Sequence, residues 1–397
     1  MSYELMENKV SLRTALLEGV EVDPNVKDSD GRTLLQSAVL HNDVQAVGVL
    51  LQLRANINMK DNEGDTAFHY AVRERNCEMV ELFLTKGYNP NKNNEVSHTP
   101  LYLAAKANDL EILKVLLEGG ADIEQRDRYG NTVLFMAAIH YQNSDLVHLL
   151  LDRGADINPR DIDGSGPLNF AVQFESSEMV NLLLNRGADA NSSDKDGNTP
   201  LHDVVQHDDL EKLDHEKSKV VTLLLNRGAD VNSRDKNGKT ALNFAVQYQN
   251  SKMVNLLLER GADVNSRKND GMPVICQVVL VGNKSIVLKK MLGALIRAGA
   301  NPNMRDDKGD TLLYNAVLAG KRSLVKMLLG YLSIQEVVKE VSNNELRGIR
   351  SRYTEWVLPR LQLLVLISPF FVTRIGTHSH IGNANFDMWR KLHAFLM

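Results

Sequence analysis

Histidine and cysteine are the residues of this 397-residue chain whose side chains could bind a metal or act as nucleophiles. Three histidines, His202, His207 and His215, cluster in the sequence. Their spacings of five and eight do not place them on one helix face as an i, i+4 pair would be. The two cysteines, Cys77 and Cys276, are too few for a structural zinc site or a disulfide framework. We therefore predict no metal and no cofactor.

Two short motifs are similar to ligand-binding loops, but each lacks a required residue. Gly164-Ser165-Gly166 has neither the third glycine nor the preceding strand of a dinucleotide-binding loop. The acidic segment 161–166 places its glycine too early for a calcium loop, and no glutamate is placed to close it. His378 and His380 are separated by one residue in a predicted loop, which does not favour a metal site. We predict that the protein is not an enzyme.

The composition excludes further classes of function. The 46 basic residues are balanced by 50 acidic ones, so nucleic-acid binding through bulk positive charge is not expected. The longest apolar run, 361–372, is shorter than the roughly 20 residues of a membrane-spanning helix. Residues 1–19 lack the apolar core of a signal peptide. We expect the protein to act in the cytoplasm or the nucleus, with its cysteines reduced.

The elements that position these residues are predicted from a repeat. Residues 168–193 and 242–267 share 19 of 26 residues, and a marker glycine recurs with a period near 33. Ser97 takes its place in one unit. A fixed period of this length is typical of stacked repeats. The marker glycines are Gly31, Gly64, Gly130, Gly164, Gly197, Gly238, Gly271 and Gly309.

Each unit has the pattern of a turn followed by two short helices. Asp235 and Gly238 suit the first and fourth positions of a type I turn, and Thr240 suits a helix N-cap. Apolar residues at i, i+3 and i+4 then recur twice, which predicts two helices with one buried stripe each. Gly261 suits a left-handed C-terminal cap after the second helix.

These features together resemble the ankyrin repeat, most clearly at 194–202 (DKDGNTPLH) and 99–105 (TPLYLAA). The resemblance implies an all-α ankyrin-repeat solenoid over 28–332, preceded by a degenerate N-terminal capping half-repeat at 1–27. It divides the chain into units at about 28–60, 61–93, 94–126, 127–160, 161–193, 194–234, 235–267, 268–305 and 306–332.

Some units depart from the pattern. Gly166 replaces the N-cap threonine of the fifth unit, so we expect its first helix to begin less cleanly. A charged insertion at 207–219 separates the helices of the sixth unit, and the second helix of the eighth should be about one turn longer. Residues 333–397 hold both tryptophans and are predicted to form a small helical segment that caps the repeats or docks a partner.

Stacked units imply a non-catalytic protein–protein interaction scaffold that binds a partner protein on its concave surface. The residue after the first helix is aromatic in four successive units, and residues of the turns would rim the same surface. An alternative is that these rings pack between repeats and serve only stability. The candidate partner-binding residues are Tyr141, Phe174, His207 and Tyr248, with Arg128, Tyr129, Ile162, Lys195 and Lys236 at the rim.

Other functions remain open at this point. Residues 356–364 faintly resemble the Leu-Pro opening of an F-box, without the acidic residue after the proline. This implies the alternative of an adaptor that recruits substrates to a ubiquitin ligase through its C-terminal segment. Small-molecule sensing by the repeats is a third class.

The hairpins carry two further recurring residues. An arginine precedes the turn aspartate at Arg126, Arg160, Arg234, Arg267 and Arg305. It forms either a basic stripe or, as we favour, local pairs with that aspartate. A second residue is an asparagine with a leucine eight positions earlier. The ankyrin resemblance implies that such asparagines are substrates of an asparaginyl hydroxylase, and the candidates are Asn158, Asn191, Asn232 and Asn265.

Overall fold

The structure is a computed structural model that describes residues 23–94, 98–139, 143–206, 215–282 and 285–332, with 336, 356 and 357. Within these residues the chain forms helices and no named strand, which confirms the predicted all-α class. It divides between Asp189 and Ala190 into two compact parts. These parts are called the first and the second unit from here on, and a single repetition is called a repeat. Of the predicted features, the N-terminal half-repeat up to residue 22, Ser97, and the insertion at 207–214 lie outside the described residues.

In the first unit, short helices of seven residues alternate with helices of nine. The seven-residue helices are α1 (Leu34–Leu40), α3 (Ala67–Arg73), α5 (Pro100–Lys106), α7 (Val133–Ile139) and α9 (Pro167–Gln173). The nine-residue helices are α2 (Val44–Gln52), α4 (Cys77–Thr85), α6 (Leu110–Glu118), α8 (Ser144–Asp152) and α10 (Ser177–Asn185).

The second unit continues the alternation with more variable lengths. Its first helices are α11 (Pro200–Gln206), α13 (Ala241–Gln247), α15 (Val274–Leu280) and α17 (Leu312–Leu318). Its second helices are α12 (His215–Asn226), α14 (Ser251–Glu259), α16 (Ser285–Arg297) and α18 (Arg322–Leu328). At 13 residues, α16 is about one turn longer than the nine-residue α14, which confirms that prediction.

Threonine caps start the first helices, as the sequence predicts. The Thr33 hydroxyl accepts a hydrogen bond from the Gln36 amide at 3.3 Å, and the Gln36 side chain accepts one from the Thr33 amide at 2.6 Å. The expectation of an irregular start at Gly166 is wrong, because α9 begins at Pro167 with the usual seven residues. Asn169 Oδ1 accepts from the Gly166 amide at 3.2 Å, and the proline at the first helical position has no N–H group that needs an acceptor.

The second helices have caps of their own, which the sequence analysis missed. Asp, Asn or Ser precedes the helix, and its side chain accepts from an amide of the first turn, as Asn76 does from Met79 at 2.9 Å. The residue before the cap often has a left-handed backbone, as Arg75 does with φ of 56°. The caps are Asp43, Asn76, Asp109, Asn143, Ser176 and Asn250.

The hairpin turns pair with the turns of the next repeat. Asp235 Oδ1 accepts from the amides of Asn237 and Lys239 at 2.9 and 2.7 Å, which closes its own turn. The Lys236 amide then donates to the carbonyl of Asp196 in the preceding repeat at 2.9 Å. This backbone bond between hairpins fixes the height of one repeat against its neighbour.

The core of each unit is the apolar stripe of its helices. In the first unit the side chains of Phe68 and Phe83 are fully buried, with their ring centroids 5.9 Å apart. In the second unit Leu242, Val254 and Leu257 are fully buried at the predicted spacing. Burying such side chains stabilises the stack by about 1.5–3 kcal/mol each, so the first and second helices hold the hairpins in register.

Candidate functional site

Two positions of a repeat meet where the hairpin leads into the first helix. One is the residue that precedes the N-cap of the first helix, and the other is the last residue of the first helix. We call these two residues a register pair. Their side chains are in hydrogen-bond contact in three repeats: Arg73 with Asp65 at 2.6 Å, Gln206 with Asn198 at 3.0 Å, and Lys239 with Gln247 at 3.0 Å. In these three repeats the same two positions are therefore in contact, while the side chains that occupy them differ.

Two successive register pairs line an open cleft of about 730 Å³ in the first unit. The first is Asp65 with Arg73, whose side chains are 1% and 42% exposed. The second is His98 with Lys106. The His98 ring stacks on Tyr102 with centroids 4.2 Å apart, and its burial lowers the pKa of the imidazole. The cleft thus contains the buried carboxylate of Asp65, the exposed cations Arg73 and Lys106, and the half-buried ring of His98.

The register pairs of the second unit are less charged. Asn198 and Gln206 form an amide pair, and the Lys239 ammonium is bonded to Gln247 and lies 4.9 Å from the Phe244 ring centroid. At the last residue of the next two first helices, the side chains of Leu280 and Leu318 are 60% and 50% exposed. The side chains at these positions thus change from polar to apolar along this unit.

The structure places two of the four predicted aromatic positions. Phe174 directly follows α9 in the first unit and is 56% exposed. Tyr248 directly follows α13 in the second unit, is half-buried, and lies parallel to Phe244 with centroids 6.5 Å apart. Tyr141 and His207 lie outside the described residues. Exposure favours partner binding for Phe174, whereas Tyr248 also packs on its own repeat.

The predicted rim residues lie at the hairpin tips. In the first unit the Arg128 guanidinium lies 4.9 Å from the Tyr129 ring centroid, and the Ile162 amide donates to the Tyr129 carbonyl at 3.0 Å. Tyr129 and Ile162 are 51% and 54% exposed, and the backbone bond between them places these residues on adjacent tips. In the second unit, Lys195 and Lys236 are exposed on the tips of two hairpins.

The recurring hairpin arginines bond to backbone carbonyls rather than to the adjacent aspartate. Arg126 donates to the carbonyl of Gly130 at 2.8 Å and to that of Arg160 in the next repeat. Arg267 likewise donates to Gly271 at 2.7 Å and to Arg305 at 3.1 Å. The turn aspartates are engaged by the amides of their own turns, so these arginines tie neighbouring hairpins together.

Three of the four candidate asparagines for hydroxylation also bridge repeats. Asn158 Oδ1 accepts from the Asp189 amide at 3.0 Å, and Asn232 Oδ1 accepts from the Asp263 amide at 2.7 Å. Asn191 accepts from Asp230 and donates to Gly228 in the same way. All four, including Asn265, are exposed residues.

Of the histidine and cysteine residues that could do chemistry, His202 and Cys276 are buried in the fold. His202 is buried, its Nδ1 accepts from the Thr199 amide at 3.0 Å, and its Nε2 faces the Lys239 carbonyl at 3.2 Å. Burial raises the pKa of the Cys276 thiol to about 12. In the described ranges no group of three or more His, Cys, Asp or Glu side chains is arranged to hold a metal ion. Nor does any helix there have the length and apolar character to cross a bilayer.

One described residue of the C-terminal segment, Trp356, lies near α18, and the next residue, Val357, is buried. The Arg322 guanidinium of α18 is 6.0 Å from the Trp356 ring centroid, and Val357 is 1% exposed. Both belong to the segment 356–364 in which the sequence analysis noted a resemblance to an F-box. The remainder of that segment lies outside the described residues.

Helix pairs joined by hairpins that bond to the next hairpin define a helical-repeat protein. A family model of three consecutive ankyrin repeats matches residues 5–94, 78–161 and 168–268. The chain therefore belongs to the ankyrin-repeat family.

Among solved structures, the chain is similar to the ankyrin repeat domain of Bcl-3, described as a unique member of the IkappaB protein family. The two share 29% sequence identity with a TM-score of 0.51, over 58% of this chain and 99% of that one. No curated protein sequence matches the chain. Repeats of this family and the structural likeness support a protein-interaction role.

Proposed function

We propose that the protein is a non-catalytic scaffold that binds a partner protein on the concave surface of its ankyrin repeats. The observation that supports it is the register pair. Hydrogen-bonded caps and hairpins repeat along the chain, while the paired positions change from Asp65–Arg73 to Asn198–Gln206 and Lys239–Gln247. A constant frame with variable contact residues is suited to selecting one partner.

Exposed apolar and aromatic side chains supply the anchors of this surface. Tyr129, Ile162 and Phe174 of the first unit each expose more than half of their side chain. Aromatic side chains bury a large area at low entropic cost, which makes them common binding hot spots. In this proposal Tyr141, His207 and Tyr248 contribute in the same way, and Arg128, Lys195 and Lys236 form the polar rim.

The test is affinity purification of the full chain from its native cells, with the triple variant Tyr129→Ala, Ile162→Ala and Phe174→Ala in parallel. We expect the variant to lose specific co-purifying proteins without a change in melting temperature, since the three side chains are exposed. Ile286→Ala is the matched control, because Ile286 is 73% exposed but lies on the second helix α16. Equal capture by the wild type and the triple variant would contradict this surface.

The alternative proposal is that the chain is an adaptor of a ubiquitin ligase. The same purification separates it from the scaffold when the full chain is compared with a fragment ending at residue 332. Cullin-complex subunits that are lost with the C-terminal segment would favour the adaptor. Their absence from the full-chain sample would leave the scaffold alone. We propose the cytoplasm or the nucleus as the place of action, since the two described cysteines are free thiols.

A further inference from the structure

Among the described residues that line the cleft of the first unit, the exposed charged side chains are two cations, Arg73 and Lys106, and one carboxylate, Glu63. The Asp65 carboxylate is 1% exposed, and its oxygens are bonded to Arg73 at 2.6 Å and to Asn94 at 2.9 Å. A partner therefore cannot reach the negative member of the pair. The positive member, Arg73, is 42% exposed at the mouth of the cleft.

The Arg73 guanidinium is held in place before any partner arrives. Its Nη2 donates to Asp65, and the guanidinium lies 5.5 Å from the centroid of the Tyr70 ring. The Tyr70 hydroxyl is in turn fixed by a 2.6 Å hydrogen bond to Asp61. The remaining N–H groups of Arg73 have no other partner among the described residues. A pre-oriented guanidinium is well suited to bind a carboxylate, because little side-chain freedom is lost on binding.

A second cation lines the same cleft. Lys106 is exposed, and its ammonium forms no ion pair or hydrogen bond within the part of the chain that the structure describes. Leu103 and Ala107 supply apolar lining beside it. Among the lining residues that the structure describes, Glu63 is the one exposed acidic side chain. The exposed charges of the cleft therefore favour an anionic group over a cationic one.

We infer that this cleft binds an acidic segment of the partner protein, with an Asp or Glu carboxylate held between the Arg73 guanidinium and the Lys106 ammonium. The inference rests on the proposed interaction function and specifies the chemistry of the partner. It also gives a role to the buried Asp65 carboxylate, which is to orient the exposed Arg73 guanidinium.

The experiment measures fluorescence anisotropy of a labelled short peptide of alternating Glu and Gly with the full chain. Peptides with Gln or Lys in place of Glu are the controls. We expect only the Glu peptide to bind, with an affinity that falls at about 0.5 M salt through screening. Lys106→Gln and Arg73→Gln should each weaken binding about tenfold, the effect of losing one charged hydrogen bond. Glu63→Gln should strengthen it.

Lys114→Gln is the matched control, since Lys114 is an exposed lysine on α6 outside the cleft and the net charge changes equally. Arg73→Gln leaves Asp65 without its cation, so Lys106→Gln carries the test if the first variant is unstable. Equal binding of the Gln peptide, or equal loss with Lys114→Gln, would overturn the inference. If the full chain captures its partner but does not bind the Glu peptide, the acidic specificity fails and the scaffold proposal stands.

Discussion

At the scale of single residues, different side chains accept the same hydrogen bond at the start of the first helices. The third residue of the first helix accepts a hydrogen bond from the N-cap amide. It is Gln36 in α1, His69 in α3 and Asn243 in α13. His69 accepts through Nδ1 at 3.2 Å, which requires a neutral ring with its proton on Nε2. Histidine is the one of these residues that titrates near neutral pH.

The two buried histidines should make the protein acid-sensitive. Burial lowers the pKa of His69 to about 4 and also lowers the pKa of His202. The folded state favours the neutral forms of both rings. Their contribution to the free energy of unfolding is therefore complete above the unfolded pKa near 6.5 and is lost as the pH falls towards 4. We expect the titration of His69 alone to lower the free energy of unfolding by about 2 kcal/mol at pH 5 relative to pH 7.

Urea unfolding at pH 7 and pH 5 measures this effect. The double variant His69→Gln and His202→Gln keeps a cap of the kind that Gln36 provides, and it should lose most of the acid sensitivity. The same shift in midpoint for the wild type and the double variant would rule out these histidines as the cause.

The hairpin asparagines give a second prediction at this scale. We expect hydroxylation of Asn232 and Asn265 first, because Asp-Val precedes both as in the pattern that the enzyme accepts. The bond from the Asp263 amide to Asn232 restricts access, whereas Asn265 has no side-chain hydrogen bond within the described residues. Mass spectrometry of protein from its native cells should therefore show more of the +16 Da product at Asn265. Unmodified peptides at all four asparagines would exclude the modification.

At the scale of elements, the hairpins carry the register of the stack. Gly130 has φ of 82°, and a Cβ there would lie 3.0 Å from the backbone nitrogen of Ile162 in the next hairpin. Gly154 has φ of 88° at the end of a second helix, and a Cβ there would meet nothing within 4 Å. A substitution at Gly154 therefore tests backbone strain alone, whereas a substitution at Gly130 also tests the contact between repeats.

We predict that Gly154→Ala lowers the free energy of unfolding by about 1 kcal/mol through the left-handed backbone alone. Gly130→Ala should lower it by roughly 2–3 kcal/mol, because the bond from Ile162 to Tyr129 must also shift. Chemical denaturation of both variants gives the comparison. Equal losses would mean that the hairpin contact contributes nothing measurable.

The elements were predictable where one residue type recurs at one position. Thr33, Thr99 and Thr311 cap first helices as expected, because the period of 33 exposes them directly. The caps of the second helices were missed, since Asp, Asn and Ser alternate there and follow a left-handed residue that no pattern marks. The register pairs were also missed. A residue before the helix contacts its last residue through the fold of the hairpin, which helical periodicity does not contain.

At the scale of the whole molecule, the question is what covers the apolar face of the repeat that precedes the C-terminal segment. The repeat formed by α17 and α18 has Leu324, Val325 and Leu328 fully buried, and a terminal repeat needs its apolar face covered. Val357 is buried as well. We propose that residues after 332 cap the last repeat, and that partner docking by the same segment is compatible with this role.

The capping proposal predicts a stability loss on substitution in that segment. Val357→Ala should lower the free energy of unfolding by roughly 1–2 kcal/mol, because a buried side chain is truncated. Ile286→Ala is the control, since that side chain is 73% exposed. A fragment of residues 1–332 that is as soluble and as stable as the full chain would exclude capping.

If a protein partner binds along the register pairs, hydrogen–deuterium exchange of the full chain with its purified partner should map the contact onto them. The account predicts slower exchange in peptides that contain the first helices and hairpins, above all 98–106 and 239–247. Exchange in peptides from the second helices, such as 110–118 and 251–259, should not change. Protection confined to the second helices, or found only after residue 332, would contradict the account.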